Sequence, residues 1–344
     1  MSITSGRAHP LGIHRVIDPP GAMPQTAWKL DNDPTPYEGE LLCDVDVLNI
    51  DSASFKQIAD ACAGDAARIA EHVLGIVRER GKMHNPVTGS GGMFIGRART
   101  TGMRIASLVS LTLTPLRVDA IERVCVSTGR IWVRGTAVLF ASGLWAELPD
   151  DIDENVALAV LDVAGAPAQV QRLCAPGQTV VIVGADGKSG MLACAQAKKC
   201  VGRSGRVIGV APSDATPSAV LLNRHGYVDA FVACDACNTL EVAERIAAIA
   251  PQLADVTINC VNVPNTELAS ILCTKDGGTV YFFSMSTSFS AAALGAEGVG
   301  KDVTMIVGNG YARGHARTAL QTLRDHPPIH TYFNDRYAAK EDLA

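Results

Sequence analysis

Val180-Val181-Ile182-Val183 runs without a polar break into Gly184-Ala185-Asp186-Gly187-Lys188-Ser189-Gly190, so an apolar strand delivers the chain directly into a glycine turn and a helix. The spacing is G-x-x-G-x-x-G. Glycines there allow a tight turn and close backbone approach to a pyrophosphate, whose charge then meets free N–H groups and the positive end of the helix dipole. A turn that only packs would need no particular surroundings, whereas this one stands at the head of a β-α-β rhythm.

The rhythm predicts strands at 179–183, 206–210, 230–232, 256–262, 279–283 and 303–307, with helices at 191–200, 217–224, 240–249 and 268–273 between them. Six parallel strands in a doubly wound α/β sheet fit that pattern. Before about residue 150 the texture differs. Short β-like runs at 41–48, 123–126, 131–133 and 136–140 are separated by Gly and polar breaks, which suggests an antiparallel, barrel-like domain. Apolar residues Ile58, Cys62, Ile69, Val73 and Val77 recur at helical spacing, so one helix is expected over 55–80, weakened or bent at Gly64 and Gly75. The expected division is 1–152, with that helix as an insertion, then 153–310, with a bridging helix at 153–173, then a segment 311–344. A last helix at 315–324 is expected to end at Pro327-Pro328, the tail returning toward the first domain.

Two domains suit 344 residues, and 47% hydrophobic with 19% charged residues leaves material for a packed core. The balance of 30 Lys+Arg against 35 Asp+Glu, net -5, gives no excess positive field for nucleic acid or an anionic membrane. No apolar run is long enough to span a bilayer, since even Val156 to Val163 is interrupted by Asp162. The first ten residues lack the apolar stretch of a signal peptide, so the cytoplasm is the expected location. The ten cysteines are mostly single among apolar neighbours, as buried reduced thiols are. Cys234 and Cys237 form one C-x-x-C without the second pair that a closed zinc site needs.

In the doubly wound half, Gly184, Gly187, Lys188, Ser189 and Gly190 are the candidate cofactor-binding turn. The strand 206–210 leads to Ala211-Pro212-Ser213-Asp214, where Asp214 suits the ribose hydroxyls of NAD and Ser213 a 2′-phosphate of NADP, so the choice between the two stays open. Ser213 and Asp214 equally suit a cap on the next helix. Asn262, Ser284 and Met285, at later strand ends, are expected along the adenine-to-nicotinamide path.

A barrel-like half, a bridging helix and a Rossmann half preceded by Ala175-Pro176-Gly177-Gln178-Thr179 together resemble the medium-chain dehydrogenase/reductase superfamily over most of the chain. The resemblance implies a Rossmann doubly wound parallel sheet with an N-terminal GroES-like β-barrel domain. Within it, Ala27-Trp28-Lys29-Leu30-Asp31-Asn32, Leu48-Asn49-Ile50-Asp51-Ser52-Ala53-Ser54-Phe55, the glycine turn and Tyr281-Phe282-Phe283-Ser284-Met285-Ser286 resemble the L-erythro-3,5-diaminohexanoate dehydrogenase family. That likeness implies NAD- or NADP-linked oxidative deamination of (3S,5S)-3,5-diaminohexanoate, a small diamino acid, to 5-amino-3-oxohexanoate and ammonia in lysine fermentation. It also implies a homodimer paired through the strand at 303–307.

Zinc-bearing members of the superfamily hold the metal with a Cys, a Gly-His-Glu and a second Cys. Here those positions fall near Ile50 and Asp51, at Gly89-Ser90-Gly91 and near Ala159, so a zinc-free site is expected. Proton transfer then needs a carboxylate or an imidazole, and the resemblance places Asp51 and Asp162 at the cofactor cleft as candidate bases. An N-cap at the helix beginning near Ser54 is the competing role for Asp51, and a structural hydrogen bond for Asp162. His84 is the alternative base, and Arg78, Arg80, Lys82 or His84 the candidate partner of a substrate carboxylate. Two further readings stay open: a zinc-free quinone or enoyl reductase using NADPH, and a non-catalytic nucleotide-binding protein.

Overall fold

In the computed structural model, which describes residues 8–308 and 310–338, the chain forms two units, Met1–Leu148 and Pro149–Ala344. The first begins with a small antiparallel pair, β1 (Val16–Asp18) and β2 (Lys29–Leu30). Next come β3 (Leu41–Asn49), α1 (Ser52–Ala61), α2 (Ala66–Arg80), β4 (Met93–Ala98), β5 (Arg104–Ser107), β6 (Leu116–Cys125), β7 (Arg130–Leu139) and β8 (Trp145–Glu147). The larger strands make one antiparallel sheet in the order β6-β7-β3-β4-β5-β8. The runs expected at 131–133 and 136–140 are one strand, β7, because Arg134 and Gly135 continue the ladder against β3 and β6.

The single helix expected over 55–80 is two helices. Ala63 and Gly64 both take positive φ, 54° and 71°, which ends α1, and Asp65 then caps α2 by accepting a hydrogen bond from the Arg68 amide. The pair is part of the unit's core rather than an appendage. Ile58, Ile69 and Val73 are fully buried and pack in one cluster with Leu48 of β3 and Phe94 of β4. Each such side chain contributes on the order of 1.5–3 kcal/mol through removal from water.

The second unit opens with α3 (Glu154–Leu161) and α4 (Gly165–Leu173), so the bridging helix expected at 153–173 is interrupted at residues 162–164. It continues with β9 (Thr179–Val183), α5 (Lys188–Val201), β10 (Arg206–Ala211), α6 (Pro217–Arg224), β11 (Ala230–Ala233), α7 (Thr239–Ile249), β12 (Ala254–Asn259), α8 (Glu267–Leu272), β13 (Thr274–Phe282), α9 (Phe289–Gly298) and β14 (Thr304–Val307). All six strands are parallel, in the order β11-β10-β9-β12-β13-β14. The order reverses direction between β9 and β12, and in sheets of this kind the crevice that takes a ligand lies at such a reversal, beyond the carboxyl ends of the strands. Val180 to Val183 are all fully buried, as a central strand covered on both faces requires.

Two helices follow, α10 (His315–Asp325) and α11 (Pro327–Tyr337). Pro327 and Pro328 therefore start a helix instead of ending the chain's helical run; a first-turn proline loses no hydrogen bond and already has helical φ. Within the second unit, α10 packs on α3, α4 and α5, and α11 on α3 and α6. The last six positions of the expected 311–344 segment lie outside the described residues. Among the described residues no helix is long and apolar enough to cross a membrane.

Because the helical pair is core to the first unit, Ile69→Ala is expected to destabilise it by about 2–5 kcal/mol, the range for truncating a buried isoleucine. Urea unfolding checks this; a change under about 0.5 kcal/mol would show an appended helix.

Candidate active site

β9 ends at Gly184, whose φ of +82° only glycine adopts without strain, and a Cβ there would lie 2.9 Å from the Val261 side chain. Gly190, in the first turn of α5, lies so close to the strand end that a Cβ would stand 2.0 Å from the Gly184 carbonyl oxygen. Gly187 is the N-cap, and no side chain caps α5. The first-turn amides of a 14-residue helix therefore face the crevice at the end of β9. Gly184, Gly187, Ser189 and Gly190 fit the pyrophosphate of a dinucleotide: the backbone can approach where side chains are missing, and the helix dipole favours negative charge.

Lys188, also in this turn, donates to Asp162 at 2.5 Å. Asp162 is the C-cap of α3 and its side chain is 47% exposed. It is an ion-paired carboxylate half in water, making the kind of structural bond that competes with the role of base. Ser213 accepts a hydrogen bond from the Ala215 amide, and Asp214 is exposed. Neither caps α6; Thr216 does, accepting from the Ala219 amide at 3.2 Å. Asn262 and Ser284 come together beyond β12 and β13: Asn262 Oδ1 accepts from Ser286 Oγ at 2.7 Å and from Ser284 Oγ at 3.5 Å. Met285, between those serines, is 88% exposed.

In the first unit, Asp51 caps α1, its Oδ1 accepting from the Ser54 amide at 3.0 Å. Its other oxygen, Oδ2, is buried and accepts no hydrogen bond from the protein. The N-cap role and an available carboxylate oxygen therefore coexist. Around it the start of α1 is tied to the loop before β4. Ser54 Oγ meets Thr88 Oγ1 at 2.5 Å, and Asn85 Nδ2 donates to Gln57 Oε1 at 2.8 Å and to the Ser54 carbonyl at 3.4 Å. Gly92, at φ +101°, lets the chain press against this corner; a Cβ there would stand 2.1 Å from the Asn49 carbonyl oxygen.

His84 precedes Asn85 in that loop. Its Nδ1 is buried with no protein partner, and burial, reinforced by Arg80 and Lys82, pushes its pKa down to about 4. The imidazole is neutral at pH 7. Arg80 and Lys82 are committed elsewhere. The Arg80 guanidinium stacks on the Trp28 ring and donates to the Trp28 and His84 carbonyls, while Lys82 Nζ donates to the Pro24 and Gln25 carbonyls at 2.7 and 3.2 Å. Burial pushes Lys82 down to about 8. These two cations pin the 24–28 segment, whereas Arg78, in the last turn of α2, is exposed. The polar residues Gln57, Asn85 and Thr88 carry no sequence motif, so only the fold marks them. Among the described residues no three His, Cys, Asp or Glu side chains are grouped as a metal site, and the cysteines are free thiols.

An antiparallel unit joined to a parallel sheet of this order, with a glycine cradle at its reversal point, defines the fold of the medium-chain dehydrogenase/reductases. A quinone oxidoreductase from Coxiella burnetii shares it, with TM-score 0.52 and 15% identity over 88% of this chain and 84% of that one. Residues 14–149 match the family described as the L-erythro-3,5-diaminohexanoate dehydrogenase N-terminal domain. Enzymes named L-erythro-3,5-diaminohexanoate dehydrogenase from Acetoanaerobium sticklandii and Fusobacterium nucleatum are 50% and 49% identical to this chain over 95% of its length and 98% of theirs. The chain belongs to the L-erythro-3,5-diaminohexanoate dehydrogenase family.

A histidine held neutral in the fold links stability to pH. Between about pH 4 and 6.5 the unfolded chain binds a proton at His84 that the folded one refuses, so the contribution is whole above pH 6.5 and is lost as pH falls toward 4. The loss expected is on the order of 2 kcal/mol, allowing for partial exposure. Stability of His84→Gln measured from pH 7 to 4 should fall less than that of the native protein by this amount; parallel curves would refute the assignment.

Proposed function

We propose that the protein catalyses NAD- or NADP-dependent oxidative deamination of (3S,5S)-3,5-diaminohexanoate, giving 5-amino-3-oxohexanoate and ammonia. The observation that carries this reading is the 50% identity to the Acetoanaerobium sticklandii dehydrogenase, which over 95% of this chain takes in both units. The glycine cradle supports dinucleotide use independently. Oxidation at C3 requires the C3 ammonium to lose a proton, the C3–H bond to break with its electron pair leaving as hydride, and water to replace nitrogen on the resulting iminium carbon. When bound, the nicotinamide ring supplies the hydride acceptor.

Asp51 is assigned as the proton acceptor. Its Oδ1 is fixed by the Ser54 amide, so the carboxylate cannot rotate freely, and Oδ2, buried without a protein partner, is the oxygen assigned to the substrate's ammonium. His84 is assigned a supporting role in the water-addition step. A neutral imidazole of such low pKa is a weak base but offers a hydrogen-bonding nitrogen to a water or a substrate ammonium. Asp162 is assigned to Lys188, holding its ammonium at the start of α5. Ser213, Asp214, Asn262, Ser284 and Met285 stay assigned to the dinucleotide by their positions after β10, β12 and β13. Proton handling is given to side chains because Ile50, Gly89-Ser90-Gly91 and Ala159 supply no thiolate or imidazole at the positions where zinc-bearing relatives hold the metal.

We propose further that two copies pair through β14. It is the edge of the parallel sheet, and Val307 on it and Phe289 on the adjoining α9 are 58% and 72% exposed. Light scattering at assay concentration should give a dimer for the native protein and a monomer for Val307→Lys; a native monomer would exclude the pairing.

Incubated with the diamino acid and oxidised dinucleotide, the protein should form reduced cofactor and ammonia in equal amounts; reduced cofactor without ammonia would contradict the reaction. Asp51→Asn still caps α1, so folding is expected to survive while kcat drops by roughly 10²–10⁴ and dinucleotide affinity stays within about twofold. An unchanged kcat would remove Asp51 from the proton transfer.

A further inference from the structure

We propose that Asn259 is a positioning residue for the dinucleotide: its buried carboxamide sets the loop 260–266, which touches both the glycine turn and the loop after β13. The inference rests on the dinucleotide reading above and deepens it. Asn259 is the last residue of β12, paired with Val183 of β9 on one side and Phe282 of β13 on the other, so it stands where the strand order reverses. Its side chain is wholly buried and grips both ends of the loop. At the entry, Oδ1 accepts from the Val261 amide at 2.9 Å; at the exit, Nδ2 donates to Thr266 Oγ1 and Ser270 Oγ, both at 2.9 Å. The Thr266 carbonyl lies 3.3 Å from the same nitrogen and accepts from Ser270 Oγ at 3.0 Å. Only the oxygen of a carboxamide can accept from an amide, so the Val261 bond fixes which way the group faces.

The loop so gripped is part of the crevice wall. Its entry is bonded to the end of β9, the Cys260 amide donating to the Val183 carbonyl at 2.8 Å, and Val261 lies so near the turn that a Cβ on Gly184 would meet its side chain at 2.9 Å. One residue on, Asn262 Oδ1 accepts from Ser286 Oγ at 2.7 Å, which carries the placement to the loop after β13. Glu267, 3% exposed in the first turn of α8, accepts from the Ser288 amide at 2.7 Å and holds the far end of that second loop. Between the two gripped ends, residues 262–265 are exposed. Folding alone does not require hydroxyls at Thr266 and Ser270, because apolar groups of the same shape fill such a space at similar stability. A fully paired polar network instead admits one geometry, and here that geometry is of exposed chain at the strand ends where dinucleotides bind.

Fluorescence titration of NADH and NADPH into the protein, without any amine, reads this role apart from the assigned reaction. A released loop that keeps its binding position about a tenth of the time lowers apparent affinity about tenfold, the loss expected for Asn259→Ala with the dinucleotide the native protein binds more tightly. Thr266→Val and Ser270→Ala each remove one partner and leave the Val261 bond, so they should fold and lose about two- to fivefold. Thr257→Val is the control. Thr257, two residues earlier in β12, meets Thr274 Oγ1 at 2.7 Å, away from the loop, so its loss should lower Tm while binding stays within about twofold. Unchanged affinity in Thr266→Val and Ser270→Ala, or an equal loss in Thr257→Val, would overturn the role of Asn259. A native protein that binds neither dinucleotide would overturn it together with the dinucleotide reading. Weakened binding in the loop variants alone, without turnover of the diamino acid by the native protein, would uphold it and discard only the substrate.

Discussion

The second unit depends on a contact that exists only because two side chains are missing. The first turn of α5 presses on the end of β9 until Gly190 would place a Cβ 2.0 Å from the Gly184 carbonyl, and Gly184 itself turns at positive φ. That approach sets the helix axis against the strand end, so the unpaired amides point into the crevice where the strand order reverses. Without it α5 would stand off from the sheet and its dipole would be aimed elsewhere. The hydrogen bonds of the turn to Val210 carry the same constraint across to β10, and through Ala211 to the loop after β11.

The first unit solves a different problem. Its antiparallel sheet buries one face beneath α1 and α2, and the corner where β3 gives way to α1 has to satisfy polar groups at the edge of that core. Asp51, Ser54, Gln57, Asn85 and Thr88 do so with one another, and Gly92 lets the backbone close over them. Two buried atoms are left over, Asp51 Oδ2 and His84 Nδ1. Unpaired buried polar atoms are costly to stability, so these two weaken the corner in which they stand.

Charge placement separates structural from chemical duty. Arg15 is wholly buried, yet it meets Glu40 at 2.6 Å and donates to the Asp33 and Thr35 carbonyls, so nothing of it remains for a ligand. Lys82 and Arg80 likewise spend their donors on backbone carbonyls near Trp28. Their positive charge nonetheless reaches His84 and helps keep it neutral.

Hydrophobic periodicity and turn chemistry are local along the chain, and whatever depends on them was legible in the amino-acid sequence: the glycine turn, all six parallel strands and the change of texture near residue 150. Helix boundaries were legible only in part. Gly64 signalled a weakness, but whether α1 bends or stops depends on Asp65 capping a new helix, and Pro327 reads equally as a stop or a start until its neighbours are placed. The competing roles of Asp51 could not be separated from spacing alone, because one carboxylate has two oxygens and only the fold shows that one caps α1 while the other is buried. Asp162 interrupts an apolar run, yet Lys188, 26 residues further on in the first turn of α5, reaches it. The sequence by itself determined the parallel strands and the glycine turn, since each is written in neighbouring residues; the tertiary structure alone decided the order of the strands and which charges are spent and which are free, since strand neighbours and a charge's partner are fixed by distance in space.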